Sequence, residues 1–297
     1  MNVKSQHWGH YLYLLPLLVV VLLMNVYPFL EGLRLSLFSE NLLRPLDDHF
    51  VGLGNFVRLF TQEPLFIKTL FNSLIFTIVS VFFEYVCGLG SALLLSSSRI
   101  HMTNGLKAIV LLPWAVPIAV NALIWRFMLS PNFGFINQFL HEIGVSGALT
   151  INWLNSINLA MGVVIFVNVW RSFPFFTITL SAGLSTIPRN LYEAAEVDGA
   201  GPLRRFIHIT VPGLRNISLV IVVFHLIWTF INFDVIYLLT AGGPLRSTEV
   251  LPTLLYEYAF TRFEMGYAAS IGVFLFLVLS LTVGPVYTRL SSTESRS

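Results

Sequence analysis

Long apolar stretches recur along this chain, separated by short polar segments. A helix that crosses a bilayer needs about 20 mostly apolar residues. Six stretches are long enough: residues 11–33, 70–95, 106–129, 159–180, 217–239 and 267–287. They predict an all-α membrane protein with six transmembrane helices, forming one transmembrane domain over residues 11–290, with an N-terminal segment 1–10 and a polar tail 291–297. Prolines punctuate the pattern. Pro16 and Pro28 in the first span, and Pro113 and Pro117 in the third, predict kinks or shifted ends, because proline has no N–H and its ring crowds the carbonyl four residues back.

Shorter periodic pieces lie between the spans. Residues 51–60, Val-Gly-Leu-Gly-Asn-Phe-Val-Arg-Leu-Phe, read as a turn followed by an amphipathic helix. Residues 130–158 read as loop with a short helix at 136–143. Ala241-Gly-Gly-Pro244 is a breaker that closes the fifth span.

The most polar interruption runs from Glu193 to Pro212. Ile187-Pro188 opens a helix, on which Leu191, Ala194, Ala195 and Asp198 recur at helical spacing. Gly199 ends it, at a position where a left-handed backbone is cheapest for glycine. Pro202 starts a second helix with Leu203, Phe206, Ile207 and Ile209 on one side and Arg204, Arg205 and His208 on the others. Pro212 is expected to break this helix before the fifth span. Small side chains at Ala194, Ala195, Gly199, Ala200 and Gly201 allow another surface to approach the backbone closely. On these grounds the segment is either a docking element for a partner in water or an amphipathic hairpin lying on the membrane surface.

Composition narrows the chemistry. The chain is 56% hydrophobic and 11% charged, against about 25% charged in a soluble domain. A net charge of +2 makes no electrostatic case for nucleic acid. The single cysteine, Cys87, excludes a disulfide framework and a cysteine metal site within one chain. There is no Gly-x-x-x-x-Gly-Lys-Ser/Thr, His-Glu-x-x-His or Gly-x-Ser-x-Gly. The chain is therefore expected to bind no metal or cofactor and to do no covalent chemistry, so any ATP belongs to another chain. His141-Glu142 reads as solvated surface. The apolar run after Lys4 has no small-x-small cleavage site and reads as a retained first span. Six spans put both termini on one side, but lysines and arginines divide nearly evenly between the two sets of loops and orient the chain only weakly.

Charges within spans are expensive and seek partners. Glu84 and Arg171 are expected to form a structural pair or network. His225, Thr229 and Asn232 form a polar stripe on the fifth span, with Trp228 on the same side; Asn121 and Trp125 share a face of the third. Binding a sugar takes hydrogen bonds to hydroxyls and aromatic faces for the C–H side of the ring. Asn121, Trp125, Asn168, Trp170, Arg171, Trp228, Asn232 and Asp234 supply that chemistry and are the candidate solute-path residues. Asparagines that join helices and tryptophans that mark interfaces are the competing explanation. Glu84, Asp234 and His225 can also be read as a proton relay of an ion-coupled transporter working without an ATPase. That reading predicts inverted repeats, which the sequence does not display.

Glu193-Ala-Ala, Gly199 three residues after Glu196, Ile209 and Pro212 resemble the EAA loop of permease subunits of binding-protein-dependent ABC importers. Val211 stands where the family pattern has leucine. The wider run Glu193-Ala-Ala-Glu-Val-Asp-Gly-Ala200, with Phe206 and Pro212, is similar to the carbohydrate branch, the maltose and glycerol-3-phosphate type. Tyr27-Pro28, Gly52-Leu-Gly-Asn-Phe56, Leu112-Pro113 and Phe233-Asp-Val-Ile-Tyr-Leu-Leu-Thr-Ala-Gly-Gly-Pro244 support the same resemblance. It implies a cytoplasmic EAA-type coupling helix in the loop 187–214, cytoplasmic termini and a prokaryotic plasma (inner) membrane location. It implies that Glu193, Ala194, Ala195, Asp198, Gly199, Arg204, Arg205, Ile209 and Pro212 couple the chain to an ATPase. The partners it implies are a second, different permease, two ATP-binding cassette subunits holding ATP and Mg, an external solute-binding protein and the lipid bilayer. The tail Ser291-Ser-Thr-Glu-Ser-Arg-Ser297 resembles the first-type permease of such a pair. The implied function is import of a sugar, oligosaccharide or related polyol. The alternative is glycerol-3-phosphate or a phosphodiester, for which Arg171 is the intramembrane basic candidate, Lys107 and Arg126 lying at the ends of their span.

Overall fold

A computed structural model describes residues 13–96 and 104–294. The segment 1–10, with Lys4, lies outside the described residues, as do the last three residues of the tail. The described chain is helical apart from a two-residue antiparallel pair, β1 (Phe38–Ser39) and β2 (His49–Phe50). The helices are α1 (Leu15–Ser36), α2 (Gly54–Thr61), α3 (Phe66–Ser96), α4 (Asn104–Ala115), α5 (Ile118–Met128), α6 (Phe135–Glu142), α7 (Ala160–Thr186), α8 (Arg189–Val197), α9 (Pro202–Phe230), α10 (Asp234–Thr240), α11 (Leu251–Tyr256) and α12 (Met265–Glu294). Helices dominate because lipid offers no partner for a backbone N–H or C=O, and a helix satisfies both internally.

Among the described residues five helices are long and apolar enough to cross a membrane, α1, α3, α7, α9 and the Met265–Thr282 part of α12, and a sixth span is reached when a bent pair of helices counts as one. The third expected span is instead two helices, Ala108–Ala115 and Ile118–Met128, bent by 101°. Pro113 lies within α4 without ending it, whereas Pro117 is the N-cap of α5 with ψ 140° and turns the chain. At 1.5 Å per residue neither piece alone spans a hydrocarbon core of about 30 Å. The fifth span also differs from expectation. It begins at Pro202, passes through Pro212 without a break and stops at Phe230; Asp234–Thr240 is a separate helix.

The described residues fall into two compact units. The first takes in residues 13–66 and 254–278. Its hairpin is fastened by Asn55 of the Gly-Leu-Gly-Asn-Phe segment, whose buried Nδ2 donates to Ser36 O and Phe38 O, each at 2.9 Å. Gly52 turns the chain into α2 at φ +56°. Arg58 bonds Glu264 and lies 4.1 Å from the centroid of the Tyr267 ring.

The second unit takes in residues 67–253 and 279–294. Phe76 of α3, Trp125 of α5, Val164 and Val167 of α7, and Val235 and Ile236 of α10 form one of its cores. Val81 and Ala92 of α3, Phe176 and Leu180 of α7, and Leu214 and Ile221 of α9 form another. Two glycines permit close helix approaches. A Cβ on Gly88 would lie 2.3 Å from Phe176 Cβ, and one on Gly183 would lie 2.9 Å from Leu214.

Candidate coupling loop and solute path

The loop between α7 and α9 is a helix, a left-handed break and the start of a second helix. Pro188 is the N-cap of α8, one residue earlier than the first-turn position its sequence suggests. At the other end, Ala200 N–H donates to Ala195 O at 2.8 Å and Gly199 N–H to Glu196 O at 3.0 Å. With Gly199 at φ +72°, this is the Schellman pattern that satisfies the last free carbonyls of a helix. The expected stop at Gly199 is thus present, with its cause. No side chain crowds the site: a Cβ at Gly199 would meet nothing within 4 Å.

α8 presents an open apolar face. Leu191, Ala194 and Val197 are exposed, Val197 at 88%, and Leu203 beyond the break is 70% exposed. Glu193, Asp198 and Arg204 are exposed as well, while Ala195, Arg205 and Ile209 are half-buried. On the inward side, Tyr192 Oη lies 3.0 Å from Thr210 Oγ1 and Arg205 lies 3.2 Å from Glu196. These two contacts fasten α8 to the first turns of α9. Tyr192, Glu196 and Thr210 are absent from the residues singled out by sequence for coupling. Arg189 pairs with Glu193 at 3.1 Å along α8 itself. A cleft of ≈ 1030 Å³ lies beside the hairpin, with Ser181 and Ser185 of α7 and Tyr192 and Glu196 of α8 in its wall.

Pro212 does not break α9. Phe206–Thr210 is a π-helical turn in which Val211 N–H reaches Phe206 O, and the α-helix resumes with Pro212 in its first turn. A widened turn carries the helix past a residue that can neither donate nor tolerate the usual carbonyl position.

The candidate solute-path residues separate into groups. Asn168 of α7 and Asn232 in the break after α9 are together: Asn232 Nδ2 donates to Asn168 Oδ1 at 3.3 Å. Asn232 Oδ1 accepts Val235 N–H, one of the free donors at the start of α10. Trp125 and Trp170 meet edge to face at 5.4 Å between centroids. Asn121 is buried, and neither amide atom has a hydrogen-bond partner among the described residues. Trp228 is exposed and stacks on Phe224, so it does not share the buried face of His225 and Thr229. The expected stripe on the fifth span therefore reduces to His225 and Thr229, since Asn232 has left the helix. Asp234 sits in the first turn of α10, where a negative charge suits the helix dipole.

Of the expected Glu84–Arg171 pair or network, the direct ion pair is not present among the described residues, while the two side chains do act on each other within a wider polar group. Glu84, fully buried, accepts from Asn168 Nδ2 at 2.9 Å, and His225 Nδ1 lies 2.9 Å from its other oxygen. Arg171 lies within electrostatic reach of Asp234 and Glu84, and its buried Nε has no hydrogen-bond partner among the described residues. Residues 84 and 225 are far apart in sequence, and no local pattern announces their contact.

Residues 84–293 match the family described as binding-protein-dependent transport system inner membrane component. Two similar proteins extend the match. The sulfoquinovosyl glycerol transport system permease protein SmoG of Agrobacterium fabrum is 34% identical, over 95% of this chain and 90% of that protein. The trehalose/maltose transport system permease protein MalF of Thermococcus litoralis is 37% identical, over 92% of this chain and 90% of that protein. Among solved structures, a bacterial ABC transporter involved in the import of the acidic polysaccharide alginate superposes with a TM-score of 0.82 at 25% identity, covering 97% of this chain and 96% of that one.

Proposed function

This chain belongs to the family of inner membrane components of binding-protein-dependent transport systems, and we propose that it is the permease through which an ATP-driven importer takes up a sugar, an oligosaccharide or a related polyol. The chain works with a second permease, two ATP-hydrolysing subunits that hold ATP and Mg, and an external solute-binding protein that delivers the solute. It lies in a prokaryotic inner membrane with both termini and the 187–214 loop in the cytoplasm. ATP chemistry stays in the partners; this chain moves.

The observation that carries the reading is α8. An exposed face of Leu191, Ala194 and Val197 ends in a left-handed glycine and is tied by its inner side to α9. That shape suits insertion of a helix into a groove on a partner. Glu193, Ala194, Ala195, Asp198 and Gly199 supply the docking helix and its stop, and Arg204, Arg205, Ile209 and Pro212 supply the base that receives its movement. Similarity to a trehalose/maltose transport system permease and to a transporter involved in alginate import supports the solute class. Asn121, Trp125, Asn168, Trp170, Trp228, Asn232 and Asp234 offer the amides, rings and carboxylate that a polyol uses. A second reading, an anionic polyol, is favoured by Arg171, whose buried Nε awaits an acceptor.

Proteoliposomes containing the assembled transporter test both. With the solute-binding protein outside and ATP accessible to the ATPases, labelled maltose or trehalose is expected to accumulate, and glycerol 3-phosphate under the second reading. Uptake that proceeds without an ATPase subunit would refute the importer reading in favour of an ion-coupled carrier.

A further inference from the structure

One buried carboxylate joins three helices. Glu84 of α3 accepts from Asn168 of α7 on one oxygen and meets His225 of α9 on the other. Asn168 in turn accepts from Asn232, which holds Val235 N–H at the start of α10. The connection is dry: Glu84 and Asn168 are 0% and 1% exposed, and the His225 ring lies 4.4 Å from that of Phe176. Close packing reinforces it on both sides. Phe176 fills the space that the missing Cβ of Gly88 leaves, Leu214 and Ile217 fill that at Gly183, and Tyr85 Oη lies 3.0 Å from Ser218 Oγ.

The same helix is joined to α8: Tyr192 Oη lies 3.0 Å from Thr210 Oγ1, and α9 continues unbroken from Pro202 to Phe230. His225 lies roughly 22 Å further along that helix at 1.5 Å per residue. Sliding α9 past α3 by even one residue's rise would part Glu84 from His225 and leave a buried polar group short of a partner. A buried hydrogen-bonding group without its partner carries its full desolvation cost.

We propose that Glu84 is a positioning residue that makes α3, α7 and α9 travel as one body when α8 is displaced. The inference rests on the importer reading above. Arg171 is the other charge that acts on this carboxylate, and Ser172 of α7 also bonds it; among the described residues His225 is the one hydrogen-bond partner that α9 brings to it.

The test uses the purified complex of this chain with its partner permease and ATPases. Cys87→Ser removes the native thiol, and spin labels go on exposed positions of α3 and α9, Val86 and Val220. Distances are read nucleotide-free and trapped with ATP and vanadate. In the parent the α3–α9 distance stays constant between the two states. Glu84→Gln behaves the same, because its amide oxygen accepts from Asn168 and its NH₂ donates to His225 Nδ1 in the other tautomer. Glu84→Leu lets the distance shift by roughly 2 Å or more on trapping, the scale of helix shifts in switching proteins. Should the leucine variant fail to assemble, Glu84→Asp, too short to hold both partners, replaces it. A parent distance that itself shifts by that amount, or a leucine or aspartate variant as constant as the parent, overturns the proposal. Failure of any ATPase to co-purify with the parent defeats the importer reading instead, and is seen before any label is added.

Discussion

Gly199 offers the cleanest quantitative test of the coupling loop. Its φ is +72° and a Cβ there would touch nothing. Substitution by alanine therefore carries no clash, only the cost of a left-handed backbone for a residue with a Cβ, roughly 1–2 kcal/mol. At 1.4 kcal/mol per tenfold, that lowers the population of the docking-competent hairpin about 5- to 30-fold. Asparagine, which tolerates this region, falls between glycine and alanine. Proline is a different perturbation. Its φ is held near −65°, and it deletes the Gly199 N–H bond to Glu196 O, so the hairpin cannot close. The assay measures ATPase co-purification and uptake in membranes, with the amount of inserted permease as control. Affinity for the ATPase is expected to fall in the order Gly, Asn, Ala, Pro, while insertion stays constant because the loop lies outside the spans. Retention of both co-purification and transport by Gly199→Pro would refute the docking role.

Other outcomes follow from the same geometry. Asn232→Ala removes the donor to Asn168 and the acceptor for Val235 N–H; uptake affinity is expected to fall roughly fivefold or more, the scale of a lost buried hydrogen bond, and unchanged affinity and rate would take Asn232 out of the solute path. Gly88→Ala places a Cβ 2.3 Å from Phe176 Cβ and 3.1 Å from Phe173 O, so the thermal stability of the second unit drops by about 1–3 kcal/mol of overpacking, whereas Gly90→Ala, with nothing within 4 Å, leaves it unchanged. Burial, with a hydrogen bond to Glu63, pushes the Tyr258 phenol up from 10.0 to about 12. The folded state therefore holds this proton more tightly, its contribution is complete below pH 10 and is lost as the pH rises through about 12; tyrosinate absorbance during alkaline unfolding should show that loss, and Tyr258→Phe should abolish it.

What could be read in advance was what depends on neighbours in sequence. The apolar lengths located α1, α3, α7, α9 and α12, and 51–60 and 136–143 marked the short helices α2 and α6 to within a few residues. Gly199 was legible because a left-handed helix stop is a local backbone requirement. Side-chain partners across helices were not. Glu84 finds His225, 141 residues away, because both helices pack on Phe176, a tertiary event with no periodic signature. Helical spacing groups Trp228 with His225 and Thr229, but an offset of three from His225 leaves it at the edge of that face, exposed and stacked on Phe224. The apolar pattern continues to Leu239 and carries Asn232 into the fifth span, whereas the helix itself stops at Phe230.

The prolines of this chain have different local outcomes. The absence of an N–H predicts a kink or a shifted helix end, and at Pro117 the chain does turn sharply. At Pro28 and Pro212 it does not, and the local solution is the same in both places. A five-residue π turn, Leu22–Val26 or Phe206–Thr210, comes directly before the residue that precedes the proline, and the α-helix resumes with that proline in its first turn. Widening the turn moves the carbonyls that the ring would strike, so continuity of the helix is kept at the cost of one irregular turn. At Pro212 this has a mechanical consequence. Had the proline broken the chain, α8 would hang from the membrane domain on a hinge, and a push on it would be absorbed there. Because the turn widens instead, Thr210, its last residue, remains part of α9 and can receive Tyr192. A proline that looked like a decoupling element in the sequence is thus compatible with a stiff shaft, and the irregular turn beside it is where the docking hairpin is joined on.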